Sequence, residues 1–342
     1  MLQDKKSLLI FNVISLSLKV GEIMQENSNA ACVSSTTAAT KKFSQLDYST
    51  SNTENQPTKE NFQILPAKIR HDSNDKITKT IFNPKPAQVE KGKMKIAEKD
   101  AVTNISFNAG IRFSAFNKEV LNACTSQFIE GSDIISVNMI FRLMTGYKRE
   151  PKSATIHQAI INSLNRLISV QFTIDASQLC TKLKYNNGKP YIYKGALLPA
   201  QIIDNALIRG QSTTAIKIIR IPPLYEIASL KHKNKNGGGQ ILTFPVDLLD
   251  VPKTRNSLEE IIIKNHTIRR ILENNHQQMS NIITFDEILQ STGFTDLTKS
   301  KLQDTRQYTE MLLDYWQQKN IIADYKQKFR FNKYYGIEIY YH

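Results

Sequence analysis

Residues 284–293, TFDEILQSTG, decide the fold. Thr284 offers a hydroxyl at an N-cap position and Glu287 a carboxylate three residues on, the capping box that opens a helix. Gly293 stands where that helix must stop, because a left-handed closing residue suits glycine. So short a helix is marginal alone, and its neighbours must bury its apolar side. Upstream, residues 254–273 set Leu258, Ile261, Ile262, Ile268 and Leu272 along one helical face. Downstream, residues 298–319 set Tyr308, Leu312 and Trp316 on one side. The tail then alternates Ile337, Ile339 and Tyr341, which predicts a final β-hairpin over 321–341.

The same order occurs earlier in the chain. Residues 136–146, SVNMIFRLMTG, echo the opening stretch: a hydroxyl N-cap, an isoleucine four residues on and a closing Thr-Gly. A helix is predicted before it over 115–129, and another after it over 153–168, with Ile156, Ile160, Leu164 and Leu167 at helical spacing. Strand-like residues 170–174 and 191–193 flank the turn 185–189, whose Asn187-Gly188 is a strong hairpin signal. Three helices and a hairpin are the parts of a winged helix. The expected fold is therefore α+β, with two winged-helix modules in tandem, at 114–230 and 241–342. The glycine-rich stretch 231–240, KHKNKNGGGQ, reads as the linker between them. Residues 25–100 are rich in Ser, Thr, Asn and Lys with few periodic apolar positions, so 25–113 is expected to be largely disordered or weakly ordered. Residues 1–24 form an apolar N-terminal segment. Lys5-Lys6 before an apolar run outlines a signal peptide, but Asn12 and Lys19 break it, so a dispensable segment or a start at Met24 is expected.

The chain of 342 residues carries a formal charge of +14. The excess peaks in residues 101–220, where 14 Lys/Arg face 6 Asp/Glu, rather than in a basic tail. A basic folded region is the electrostatic footprint of a polyanion partner, here double-stranded DNA. Cys32, Cys124 and Cys180 are too few and too far apart for a disulfide framework or a zinc knuckle, which points to the cytoplasm. No run is apolar for long enough to suggest a membrane span.

A winged helix sets its third helix in the major groove, with the wing on backbone or minor groove. In the first module the face opposite Ile160 and Leu164 carries Thr155, Gln158, Asn162 and Arg166. Amides pair with adenine and guanidinium with guanine, so these are candidate base readers. Lys148, Arg149 and Lys152 precede that helix, and Lys182, Lys184 and Lys189 surround the expected wing, as candidate phosphate contacts. In the second module Lys299, Ser300, Gln303, Arg306 and Gln307 face away from the apolar side, and Lys326, Lys328, Arg330 and Lys333 lie on the wing. Glu310 and Asp314 lie further along the same helix, so contact is expected in its N-terminal half. Of Tyr325, Phe329, Phe331, Tyr334 and Tyr335, most are expected in the hairpin core, with one or two free to stack on exposed bases.

Enzyme motifs are lacking. The six histidines include no His-x-His pair, and the sequence holds no P-loop, no GxSxG elbow and no HExxH helix. The expectation is a non-enzymatic protein without metal or cofactor.

The two modules together resemble the theta-type plasmid replication initiators of low-GC bacterial mobile elements. The resemblance spans about residues 114–342. It rests on 134–146 with 153–168, on Phe244-Pro245-Val246-Asp247-Leu248-Leu249 through 254–272, and on Leu312-Leu313-Asp314-Tyr315-Trp316 with Ile321-Ile322 and Tyr325. It implies binding to repeated origin sites, opening of AT-rich DNA and recruitment of host replication proteins. It also implies that one module can form a homodimer instead of reading bases. The long N-terminal extension departs from that pattern. A transcriptional regulator built from the same modules is the alternative.

Overall fold

Strand β1 (Lys68–Ser73) begins the part of the chain seen in a computed structural model, which describes residues 68–73, 75–98, 101–146, 154–185, 189–208, 211–233, 240–252, 254–276, 280–293 and 298–342. Helices α1 (Lys76–Phe82) and α2 (Pro86–Lys91) and the hairpin β2 (Lys93–Glu98) and β3 (Ala101–Phe107) follow. Asp75 caps α1 by accepting from the Ile77 amide at 2.7 Å. Ile69, Ile77, Ile81, Met94, Ile96 and Ile105 are all buried. The expectation of weak order up to residue 113 therefore fails for residues 68–113. Each of these elements is short, and its partners lie far along the chain, so no local window displays a core. Residues 1–67, which hold the apolar N-terminal segment and the first part of the polar region, lie outside the described residues.

The first module contains α3 (Ala115–Ile129), β4 (Ile134–Ser136), α4 (Val137–Thr145) and α5 (Ala154–Ser169). Ser136 caps α4, accepting from Met139 N at 3.2 Å. Next come β5 (Gln171–Asp175), α6 (Ser177–Lys182), β6 (Ile192–Ala196) and the long hairpin β7 (Ala200–Ile208) and β8 (Gln211–Ile218). Strand β4 pairs with β8 in a sheet of order β4-β8-β7, so β7–β8 is the wing. The expected wing over 170–193 is thus corrected. Strands β5 and β6 do pair antiparallel, with Phe172 opposite Gly195, but they extend a different sheet of order β2-β3-β5-β6. A hairpin signal reports local pairing and does not say which strand will take the free edge. Here β3 takes it, with Phe107 stacked on Phe172 at 5.3 Å.

Helix α7 (Pro223–Lys233) and strand β9 (Gln240–Pro245) lead through a 3-10 turn (Val246–Leu249) to the second module. The expected linker at 231–240 is partly built into structure. Lys231 is buried and forms ion pairs with Asp75 at 3.2 Å and with Glu98, while β9 pairs along its whole length with β1. Residues 234–239 lie outside the described residues. The second module contains α8 (Leu258–His276), β10 (Ile282–Thr284), α9 (Phe285–Thr292), α10 (Lys299–Gln318), β11 (Asp324–Arg330) and β12 (Lys333–Tyr340), with sheet order β10-β12-β11. Three helices and a two-stranded wing occur as expected, with a short strand, β10, added between the first two helices as β4 is in the first module. Thr284 and Gly293 bound α9: Thr284 Oγ1 accepts from Glu287 N at 3.1 Å and Gly293 takes a left-handed φ of 72°, but the expected capping box is only half formed, because the Glu287 carboxylate accepts from Arg270 Nε at 2.7 Å.

The two modules share one core. Gly146, the left-handed stop of α4 at φ 77°, lies against the backbone of Leu249 and Asp250. A Cβ there would stand 2.2 Å from Asp250 N, so only glycine permits this approach. The buried Lys264 ammonium on α8 donates to Thr145 O (2.9 Å), Leu249 O (2.7 Å) and Asn256 Oδ1 (3.1 Å), and Asn265 donates to Met144 O at 2.9 Å. Burial pulls the Lys264 amine down to about 7. Beside this junction, Arg269 on α8 approaches Glu119 on α3 at 3.6 Å. His71 is wholly and His266 largely buried here, and desolvation, then nearby cations with Arg269 first, hold both imidazoles well below their ordinary value. These contacts replace the expected picture of two domains joined by a linker.

Candidate nucleic-acid interface

Helix α10 separates its faces cleanly. Thr305, Thr309, Leu312, Leu313 and Trp316 are buried, and the Trp316 indole donates to Leu248 O at 2.9 Å. Lys299, Ser300, Gln303 and Gln307 are exposed along the N-terminal half of the helix. Thr298 caps that end, and the neighbouring Lys301 is tied to Glu259 at 2.6 Å. The exposed stripe therefore offers one cation, one hydroxyl and two amides, with the carboxylate of Asp304 among them, at a helix N-terminal half, the part that reaches base edges in helix-turn-helix docking.

Arg306 does not join that stripe. Its guanidinium lies 5.4 Å from the Phe285 ring centre and 5.2 Å from that of Tyr334, and it donates to the Tyr334 carbonyl. The side chain fastens α10 to the wing, which corrects its expected place among the base-facing residues. Glu310 and Asp314 have similar work. Glu310 accepts from Gln327 Nε2 and from the Tyr334 hydroxyl, both at 2.6 Å, and Asp314 accepts from the Tyr325 hydroxyl at 2.6 Å. These two acids are thereby occupied by the hairpin, whereas Asp304 stays exposed beside Gln303. Burial and these carboxylates push both tyrosine hydroxyls up from their ordinary value.

On the wing, Lys326 is exposed and lies over the Tyr340 ring at 5.1 Å, and Lys328 pairs with Glu338 at 3.3 Å. Arg330 and Lys333 flank the turn and are exposed. Of the five aromatic residues, Tyr325 and Tyr334 are held as described, Tyr335 is half-buried and Phe329 stacks on Tyr334 at 5.4 Å. Phe331 stands at the tip, 89% exposed.

In the first module Thr155, Gln158, Asn162 and Arg166 are all exposed on one face of α5. Gln158 Nε2 donates to Asn162 Oδ1 at 3.0 Å, and Arg166 reaches back to donate to Arg112 O at 2.9 Å. Lys148, Arg149 and Lys152 lie outside the described residues. Lys182, Lys184 and Lys189 are exposed, yet they sit at α6 and the approach to β6, in the insert that β5, α6 and β6 form ahead of the β7–β8 wing. The true wing carries Lys217, exposed on β8, which the periodicity of the sequence did not single out. Its signal was present: two alternating runs either side of Arg209-Gly210.

Among the described residues no group of three His, Cys, Asp or Glu side chains is placed to hold a metal ion. No helix of the described residues is long and apolar enough to cross a membrane. The fold and the exposed stripes define an α+β protein of tandem winged-helix modules. No protein-family model matches the sequence, and no curated protein matches it. Among solved structures the chain is loosely similar to RctB domains 2 and 3, at 13% identity and a TM-score of 0.38, over 72% of this chain and 89% of that one. A second structure of the same two RctB domains gives 13% identity and a TM-score of 0.36 over 75% and 93%.

Proposed function

We propose that the chain is a sequence-specific, double-stranded-DNA-binding replication initiator that docks on repeated origin sites and recruits host replication proteins without catalysis of its own. The observation that supports it most is the exposed stripe Lys299, Ser300, Gln303 and Gln307 beside a wing bearing Lys326, Arg330 and Lys333. Amides on a helix N-terminal half supply base readout, and cations on the adjacent hairpin supply phosphate contacts. The α5 face gives the first module the means to read as well or, with that module pairing protomers, to set dimer spacing. Initiation at an origin rests on the resemblance to plasmid initiators described above. Footprinting on DNA flanking the gene tests the reading. Iterated protected repeats are the expected result, a single palindrome over the promoter marks a transcriptional regulator, and no protection at any site removes sequence-specific binding.

A further inference from the structure

The tip of the second wing is a two-residue loop. Arg330 faces Lys333 across β11 and β12, and Phe331 and Asn332 between them both have positive φ, 48° and 57°. Such a turn suits Asn-Gly or Asp-Gly, because a Cβ at the left-handed position crowds the following carbonyl. Asparagine tolerates that conformation, whereas phenylalanine adopts it only at a cost. The sequence thus places a bulky apolar residue where the backbone is left-handed and where 89% of the residue is exposed to water. A polar residue or glycine would relieve strain and exposure together. Phe329, two positions earlier, is 59% exposed but finds a stacking partner in Tyr334. The Phe331 ring meets the Arg330 guanidinium, 5.6 Å from its centre. One face of the ring is therefore covered by a cation and the rest is open.

We infer that Phe331 is a wedge that enters a base step of duplex DNA and unstacks it. This rests on the proposed DNA-binding function. The occupant follows from charge: Arg330 and Lys333 flank an apolar ring with exposed cations and Lys326 stands further down the same hairpin, which matches a stack of apolar bases between two phosphate strands. A wing reaches the minor groove when its third helix lies in the major groove, and apolar wedges act there. Pyrimidine–purine steps such as TA and CA unstack most readily, so the wedge favours those steps. A strained residue kept at a ligand-facing tip fits the general pattern of strain held at functional sites.

The test uses the full chain and closed-circular plasmid DNA relaxed by topoisomerase in its presence at low salt. A wedge lowers twist, so the DNA emerges negatively supercoiled after the protein is removed. Phe331→Ala and Phe331→Gly should abolish that shift while filter retention of the same DNA changes by less than about threefold, because the phosphate contacts persist. Phe331→Trp should restore the shift. Phe331→Gly should also raise the melting temperature, which separates loss of the ring from loss of the fold. An unchanged topology shift in Phe331→Ala overturns the wedge while leaving DNA binding intact. Absence of any retention of wild-type protein on DNA overturns the proposed function and the wedge with it. Sedimentation with anionic phosphatidylserine vesicles that depends on Phe331, without a topology shift, overturns the wedge in favour of a membrane contact.

Discussion

The Lys264 ammonium donates to the Thr145 carbonyl at 2.9 Å, joining the first helix of the second module to the end of α4 in the first. The bond crosses 119 residues of sequence and is fully buried. The same nitrogen also holds Leu249 O and Asn256 Oδ1.

Lys264→Met is expected to destabilise the protein by about 3 kcal/mol, since buried carbonyls left without donors cost on the order of 1–3 kcal/mol each. Urea titration should still give one transition for both modules, because their core is continuous. Two separated transitions in the wild-type protein would contradict the shared core.

Gly146→Ala should cost more than Gly293→Ala. Both glycines have positive φ, but a Cβ at Gly146 meets Asp250 N at 2.2 Å, whereas one at Gly293 meets nothing within 4 Å. The second change carries only the left-handed penalty of about 1 kcal/mol, and the first adds a backbone collision. Equal denaturation midpoints for the two variants would refute the close approach.

Acid should weaken the fold through His71 and His266. Both are held below the ordinary 6.5, so the unfolded chain takes up protons that the folded one refuses. Their contribution is therefore fully present above pH 6.5 and disappears progressively as pH falls below it. Glu119 and Glu287, at 3.8 and 3.9 Å, are the acids nearest the two rings, and Lys118, Arg269 and Arg270 the opposing cations. The denaturation midpoint should drop between about pH 7 and pH 5, and less steeply in His71→Gln. A midpoint flat over that range would show that the rings are not desolvated.

Gln303→Ala and Gln307→Ala should each weaken binding to a footprinted site by about 1–3 kcal/mol with an unchanged melting temperature, the signature of side chains that read bases. Arg306→Ala should do the reverse, lowering the melting temperature because it unfastens α10 from Tyr334. Replacing Lys326, Arg330 and Lys333 by alanine should reduce the salt slope by about 0.9 for each phosphate no longer neutralised. The same change at Lys182, Lys184 and Lys189, in the insert, should leave the slope as it was. The reverse outcome for these two triple variants would move the phosphate-binding cations from the wing to the insert.

Elements whose partners lie nearby were legible in the sequence. The predicted helix over 115–129 appears as Ala115–Ile129, and Ser136, Gly146, Thr284 and Gly293 cap as their chemistry implies. What escaped was long-range. Strand β1 becomes a strand only against β9, more than 160 residues away, and β5 joins β3 instead of β4. The exposed stripe on α10 followed from periodicity, but Arg306 did not, because its inward turn depends on Tyr334 from another element. A helical wheel assigns a side chain to a face and cannot say that a neighbouring strand will draw it in.

The bond from Lys264 to Thr145 also constrains the geometry of any doubly bound target. Under the proposed function, α5 and α10 form a fixed caliper rather than two tethered heads. Inserting about half a helical turn, roughly 5 base pairs, between their contact sites would carry one of them to the far side of the duplex. Spacing is then read by the protein core, and origin repeats that satisfy it must keep phase with each other as well as sequence.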